Sequence, residues 1–136
     1  MATIRVVTTV DVPAAQAWEA IADLGAVHER LLPGRVSATV LDGGFRILTM
    51  PDGSRIRELI IALDHGLRRF AYSVVEGQAL PLTYHQAAFE VIEAHGRTEI
   101  VWTTDVLPHA LAPAVRARVE RGIVEMKATL EAAHRP

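Results

Sequence analysis

Residues 109–134 read HALAPAVRARVERGIVEMKATLEAAH. Within this stretch Leu111, Val115, Val119, Ile123, Met126 and Leu130 recur at spacings of three and four, which places them on one face of a helix. Arg116 with Glu120, Arg121 with Glu125 and Lys127 with Glu131 form i,i+4 pairs of opposite charge that suit the watered side. Started near Pro113, such a helix runs about 33 Å at 1.5 Å per residue, enough to cross a whole sheet. Gly122 interrupts the apolar stripe at a cost of about 1 kcal/mol relative to alanine, so it calls for a reason. Close packing of helix on sheet is one, and room for a ligand is the other.

The preceding seventy residues have almost no helical periodicity. Turn chemistry at Asp42-Gly43-Gly44, Pro51-Asp52-Gly53, Asp64-His65-Gly66, Gly77 to Pro81 and His95-Gly96 divides them into six strands. These are expected at Val36–Leu41, Phe45–Met50, Arg55–Leu63, Arg69–Val75, Thr83–Ala94 and Thr98–Val106, and short connections make them an antiparallel meander. Ile4 to Val10, β-branched and rich in threonine, reads as a first strand. A short helix follows Pro13 and ends near Asp23, and Val27 to Leu32 suit a second before Pro33-Gly34 breaks the chain.

The chain has 136 residues, a net charge of −2 and no cysteine. One domain over residues 1–136 is therefore expected, without disulfide or thiolate chemistry, and nucleic acid is an unsuitable partner. No run approaches the roughly 18 apolar residues of a membrane span, and residues 1–10 lack signal-peptide character, so a cytoplasmic protein is expected.

Several strings resemble the START-like or helix-grip proteins of the SRPBCC superfamily, in its polyketide cyclase/dehydrase-like branch. Val10-Asp11-Val12-Pro13-Ala14 with Ala17-Trp18 resembles the passage from first strand to first helix. Tyr72 to Gly77 with Leu82-Thr83-Tyr84 resembles the central hairpin, and Gly96 to Trp102 a late strand of the same branch. The resemblance implies an α+β fold: a seven-stranded antiparallel curved sheet wrapped around the C-terminal helix, with two short helices after the first strand. It also implies a cavity between sheet and helix, opening near the loops that join strands 3 to 4 and 5 to 6. The gate, latch and carboxylate-binding lysine of the plant abscisic-acid receptors of this fold are missing, since Thr49 to Gly53, Gln78 to Leu82 and Ser37 to Leu41 have other residues. A hormone-sensing role is not implied.

Alternation along the strands, oriented by the resemblance, assigns residues to the cavity face. Phe70, Tyr72 and Val74 are expected there, with Tyr84, Gln86 and Ala88 on the next strand and Ile100, Trp102, Thr104 and Val106 on the last. Val119, Gly122 and Met126 face them from the helix. Glu58, between Ile56 and Ile60, is expected inward; burial would raise its pKa and suit it to proton transfer, unless it points outward or pairs with Arg46, Arg55 or Arg57. Tyr72 and Tyr84 could donate to a ligand carbonyl or simply fill space.

None of the six histidines has metal-ligand spacing, His85 is expected outward, and His28 is the residual acid–base candidate. Neither a hydrolase elbow nor a phosphate-binding glycine loop occurs, so no cofactor or metal is expected. The leading function is binding of a small hydrophobic molecule: an aromatic polyketide, isoprenoid or lipid-like metabolite. The alternative is a cyclase or dehydratase using Glu58 as base and Tyr72 or Tyr84 as donor. A third class, a homodimer or interaction module, would use the apolar loops at Met50-Pro51 and Ala79 to Leu82.

Overall fold

A computed structural model describes residues 2–134; Met1, Arg135 and Pro136 of the expected domain lie outside the described residues. Strand β1 (Ala2–Val10) leads into helix α1 (Ala14–Ala22), a 3-10 turn at Leu24–Ala26 and helix α2 (Val27–Arg30). Strands β2 (Ala38–Asp42), β3 (Phe45–Thr49), β4 (Arg55–Asp64), β5 (Arg69–Glu76), β6 (Tyr84–Ala94) and β7 (Arg97–Leu107) follow. A 3-10 turn at His109–Leu111 opens into helix α3 (Ala112–His134). The seven strands form one antiparallel sheet in the order β1-β7-β6-β5-β4-β3-β2. This is the helix-grip arrangement, a curved sheet closed by a long C-terminal helix, with short helices after the first strand.

The apolar stripe of α3 is divided between two parts of the interior. Val115 and Val119 pack with Ala2, Ile4 and Val106 at one end of β1 and β7. Ile123, Met126 and Leu130 join the larger core with Trp18 and Ile21 of α1, Phe70, Phe89 and Ile100. Leu111, expected on the stripe, is only half-buried, because the chain there is still in the 3-10 turn. Helix α1 is tied to the turn between β4 and β5, where Trp18 Nε1–H donates to His65 Nδ1 at 3.1 Å.

Gly122 sits where α3 meets the side chain of Trp102 on β7. A methyl group built on it would lie 2.9 Å from Cζ3 and 3.2 Å from Cη2 of Trp102, inside normal contact distance. The glycine therefore admits the indole ring against the helix backbone, and the space it leaves is filled by Trp102. Gly122→Ala is expected to lower stability by about 1 kcal/mol, because overpacking of about 1–3 kcal/mol exceeds the helix-propensity gain of about 1 kcal/mol. In a Trp102→Phe background the same change becomes neutral or stabilising. Urea denaturation of the four proteins measures the coupling; a stabilising Gly122→Ala in the wild-type background would disprove the tight contact.

Candidate functional site

A cavity of about 790 Å³ lies between the sheet and α3. Ile56 and Glu58 of β4, Tyr72 and Val74 of β5, His85 of β6, and Trp102 and Thr104 of β7 line it from the sheet. Val115, Val119 and Gly122 line it from α3. Met50 to Asp52 and Ser54, in the β3–β4 connection, and Gly77, Gln78, Ala79 and Leu82, in the β5–β6 connection, border it at the loops the resemblance implied. Gly77 has φ +85°, and a Cβ there would lie 1.9 Å from the carbonyl oxygen of Arg55, so only glycine fits this loop start.

The mouth is crossed by an ion pair absent from the sequence reading. Arg35, in the segment after α2, binds Glu125 of α3 through both carboxylate oxygens, with Nη2 2.7 Å from Oε1 and Nε on Oε2. The pair raises the Arg35 pKa and lowers that of Glu125. Arg116–Glu120 and Lys127–Glu131 form as expected, at 3.6 and 3.2 Å, whereas Glu125 takes Arg35 as its ion-pair partner in place of Arg121. Arg118 and Arg121 also border the cavity.

Glu58 faces inward and pairs with Arg46, whose Nε donates to Oε1 at 2.8 Å. Both residues are buried, 5% and 4% exposed. Burial pushes the Glu58 carboxyl pKa up, and Arg46 works against the rise through its charge and hydrogen bond. The Arg46 guanidinium also lies 4.9 Å from the Phe70 ring centroid and 5.8 Å from that of Tyr72. Tyr72 is buried, and desolvation together with the Glu58 charge raises its phenol pKa, so the hydroxyl stays protonated. The Trp102 indole N–H reaches close enough to oppose that rise but lies outside hydrogen-bond geometry.

Strand β6 is turned over relative to the expectation. Its register pairs Tyr72 with Ala87 and Phe70 with Phe89, and directly opposed residues share a face. His85, Ala87, Phe89 and Val91 therefore point inward. Tyr84 and Gln86, expected in the site, lie on the other face, where Tyr84 is 39% exposed and donates its hydroxyl to Gln86 Oε1 at 2.9 Å. The signal was present in the sequence: Ala87, Phe89 and Val91 are apolar, while the opposite parity holds Gln86 and Glu90.

Ile100 and Met126, also expected at the ligand, belong to the core instead, in the same buried cluster as Trp18 and Ile21 of α1, Phe70 and Phe89. His28 does not border the cavity; its Nδ1 contacts Thr39 Oγ1 at 3.0 Å. The expected residues Glu58, Tyr72, Val74, Trp102, Thr104, Val119 and Gly122 do come together around the cavity.

His85 is the residue the sequence reading missed. Past the Tyr72–Ala87 pair the β5–β6 ladder ends, and the Val74 backbone N–H donates to His85 Nδ1 at 3.1 Å instead of to a strand carbonyl. Ser73 Oγ donates to the His85 carbonyl on the same stretch. A backbone N–H can only donate, so Nδ1 must be the unprotonated nitrogen and Nε2 carries the hydrogen. Desolvation pushes the His85 pKa down to about 4, which keeps the ring neutral.

The family model described as "Polyketide cyclase / dehydrase and lipid transport" matches residues 1–131. The chain belongs to this family. Its description and the fold together support a ligand-binding role in general. A protein from Bacillus thuringiensis is 17% identical with a TM-score of 0.83, the match covering 95% of this chain and 98% of that one. A protein from Thermobifida fusca is 26% identical, TM-score 0.78, with 97% and 91% covered. Norcoclaurine synthase from Thalictrum flavum, solved with dopamine and hydroxybenzaldehyde, is 20% identical, TM-score 0.72, with 99% and 88% covered. Comparison with curated protein sequences found no match.

The lowered His85 pKa has a measurable sign. The unfolded chain takes up a proton near pH 6.5, while the folded ring resists until about pH 4, so stability falls as pH drops through that interval. Asparagine keeps an acceptor near the Val74 N–H and does not titrate. Wild type is expected to lose more stability than His85→Asn across the interval, by on the order of 2–3 kcal/mol. Glu58, with its raised pKa, acts in the opposite direction but is common to both proteins. Parallel denaturation curves at the two pH limits check this; equal losses would refute a buried neutral His85.

Proposed function

We propose that the protein binds a small, mostly apolar molecule, such as an aromatic polyketide, isoprenoid or lipid-like metabolite, between the sheet and α3. The observation that carries this reading is the cavity of about 790 Å³, walled by Ile56, Tyr72, Val74, Trp102, Val115 and Val119. Its volume falls in the range of roughly 300–1,000 Å³ common for small-molecule sites. The structural likeness to norcoclaurine synthase, whose structure holds dopamine and hydroxybenzaldehyde, supports small aromatic compounds as the first to try. N-phenylnaphthylamine should gain fluorescence on mixing with the protein and be displaced by competing aromatics. Val74→Trp should abolish the signal while retaining the far-UV circular dichroism spectrum. A wild-type protein that leaves the probe's fluorescence unchanged would sink the reading.

One observation favours a second reading, a polyketide-type cyclase or dehydratase: Glu58, buried and with its pKa raised, borders the cavity beside Tyr72. In this reading Glu58 accepts a proton from the substrate and Tyr72 donates to a substrate oxygen, a role Tyr84 cannot fill from the outer face. Arg46 already holds one carboxylate oxygen, which restrains Glu58 as a base. With a poly-β-keto thioester as substrate, Glu58→Gln should cut turnover about a hundredfold or more; undiminished turnover would remove Glu58 from the mechanism.

A further inference from the structure

We propose that the wall where β5, β6 and β7 meet is a hydrogen-bonding subsite for a carbonyl-type oxygen of the ligand, with His85 Nε2–H as its principal donor. This rests on the ligand-binding reading above and deepens it, from any apolar molecule to one that carries such an acceptor.

Three independent features converge on this wall. The first is register: Tyr72 and Thr104 lie opposite Ala87 from its two sides, and His85 is the next inward residue along β6. Trp102 lies two residues from Thr104 on the same face of β7. The second is the fixed tautomer of His85. Its Nδ1 is consumed by the Val74 N–H, and its Nε2–H makes no hydrogen bond to a described residue, although the ring borders the cavity.

The third feature is a pair of buried polar atoms, Trp102 Nε1 and Thr104 Oγ1, that have no hydrogen-bond partner among the described residues. Buried N–H and O–H groups are nearly always paired, because desolvation without a partner is costly. Thr104 Oγ1 is left wholly unpaired among the described residues and Trp102 Nε1–H reaches only towards the Tyr72 hydroxyl, outside hydrogen-bond geometry, which is out of keeping with a wall built only for packing. All three side chains offer hydrogens, so the complementary group is an acceptor. On the sheet the nearby cation, Arg46, is already matched by Glu58 and covered by Phe70 and Tyr72, while Arg118 and Arg121 border the cavity from α3, across from this wall. A neutral carbonyl oxygen therefore suits the wall better than a carboxylate.

A matched pair of naphthalenes tests the assignment: acetylnaphthalene, which has the carbonyl, and isopropylnaphthalene, which has nearly the same shape without it. Calorimetric titration of the full chain should give about three- to tenfold tighter binding of the ketone. His85→Asn, which keeps an acceptor for the Val74 N–H but carries its amide N–H one atom short of the Nε2 position, out of reach of the ligand oxygen, should bring that ratio close to one. Thr104→Val should lower the ratio less and should raise the melting temperature of the ligand-free protein, since an unpaired buried hydroxyl becomes a methyl group. Equal wild-type affinities for the two compounds, or an unchanged ratio in His85→Asn, would overturn the subsite alone. Failure of the wild type to bind either compound would instead overturn the cavity reading on which it rests.

Discussion

The contact between the Trp102 ring and the backbone of α3 at Gly122 sets the distance between helix and sheet, and the cavity follows from that distance. Helix α3 packs along β1 and β7, at one side of the sheet. Beyond Gly122, Ile123, Met126 and Leu130 descend into a close-packed core with α1. Before Gly122, Val115 and Val119 touch β1 and β7 while β4 and β5 curve past on the far side of the cavity. The indole is thus the partition between a filled half and an open half. A smaller ring would let the helix settle, and a larger residue at position 122 would push the ring into the open half.

On the open side the sheet carries more polar machinery than packing needs. Arg46 and Glu58 are directly opposed on β3 and β4, both out of water. A buried pair of this kind gives little net stability, since desolvation offsets most of the attraction, but losing either partner would strand a charge at a cost of about 3–5 kcal/mol. Its placement under Phe70 and Tyr72 fixes those rings and lends the wall a directional field. The Arg35–Glu125 pair does a different job at the mouth. It joins the segment after α2 to α3 and so holds together two elements with a cavity, not a core, between them.

The architecture was legible in the sequence because it rests on local signals. The three-and-four spacing from Val115 to Leu130, the Asp-Gly-Gly and Pro-Asp-Gly turns, and the β-branched run before Val10 each determine an element without knowledge of its neighbours. The site was legible only where a strand's own alternation was unambiguous, as for Ile56, Glu58 and Ile60, or Trp102 and Thr104. On β6 the aromatic at Tyr84 drew the parity the wrong way, although Phe89 and Glu90 further along the strand decide it. Arg35 with Glu125 was beyond reach for another reason. Helical spacing offered Glu125 a local partner in Arg121, and only the tertiary fold brings the competing arginine to it.

The same irregularity that hid His85 also shapes the cavity wall. A fully paired antiparallel β5–β6 hairpin would keep its two strands joined by backbone hydrogen bonds to the end. Here the ladder stops at Tyr72 and Ala87, and the strands part toward a loop that only Gly77 can begin. Parting strands leave backbone donors without partners, and those would be unstable beside an apolar cavity. His85 meets that need by offering Nδ1 to the Val74 N–H, and in doing so turns its other nitrogen into a donor. One side chain therefore replaces the ladder beyond Tyr72, ties β6 to β5 there and gives the wall a hydrogen to donate. No substitution at position 85 can alter the last of these without also touching the first two, unless it preserves the acceptor facing β5.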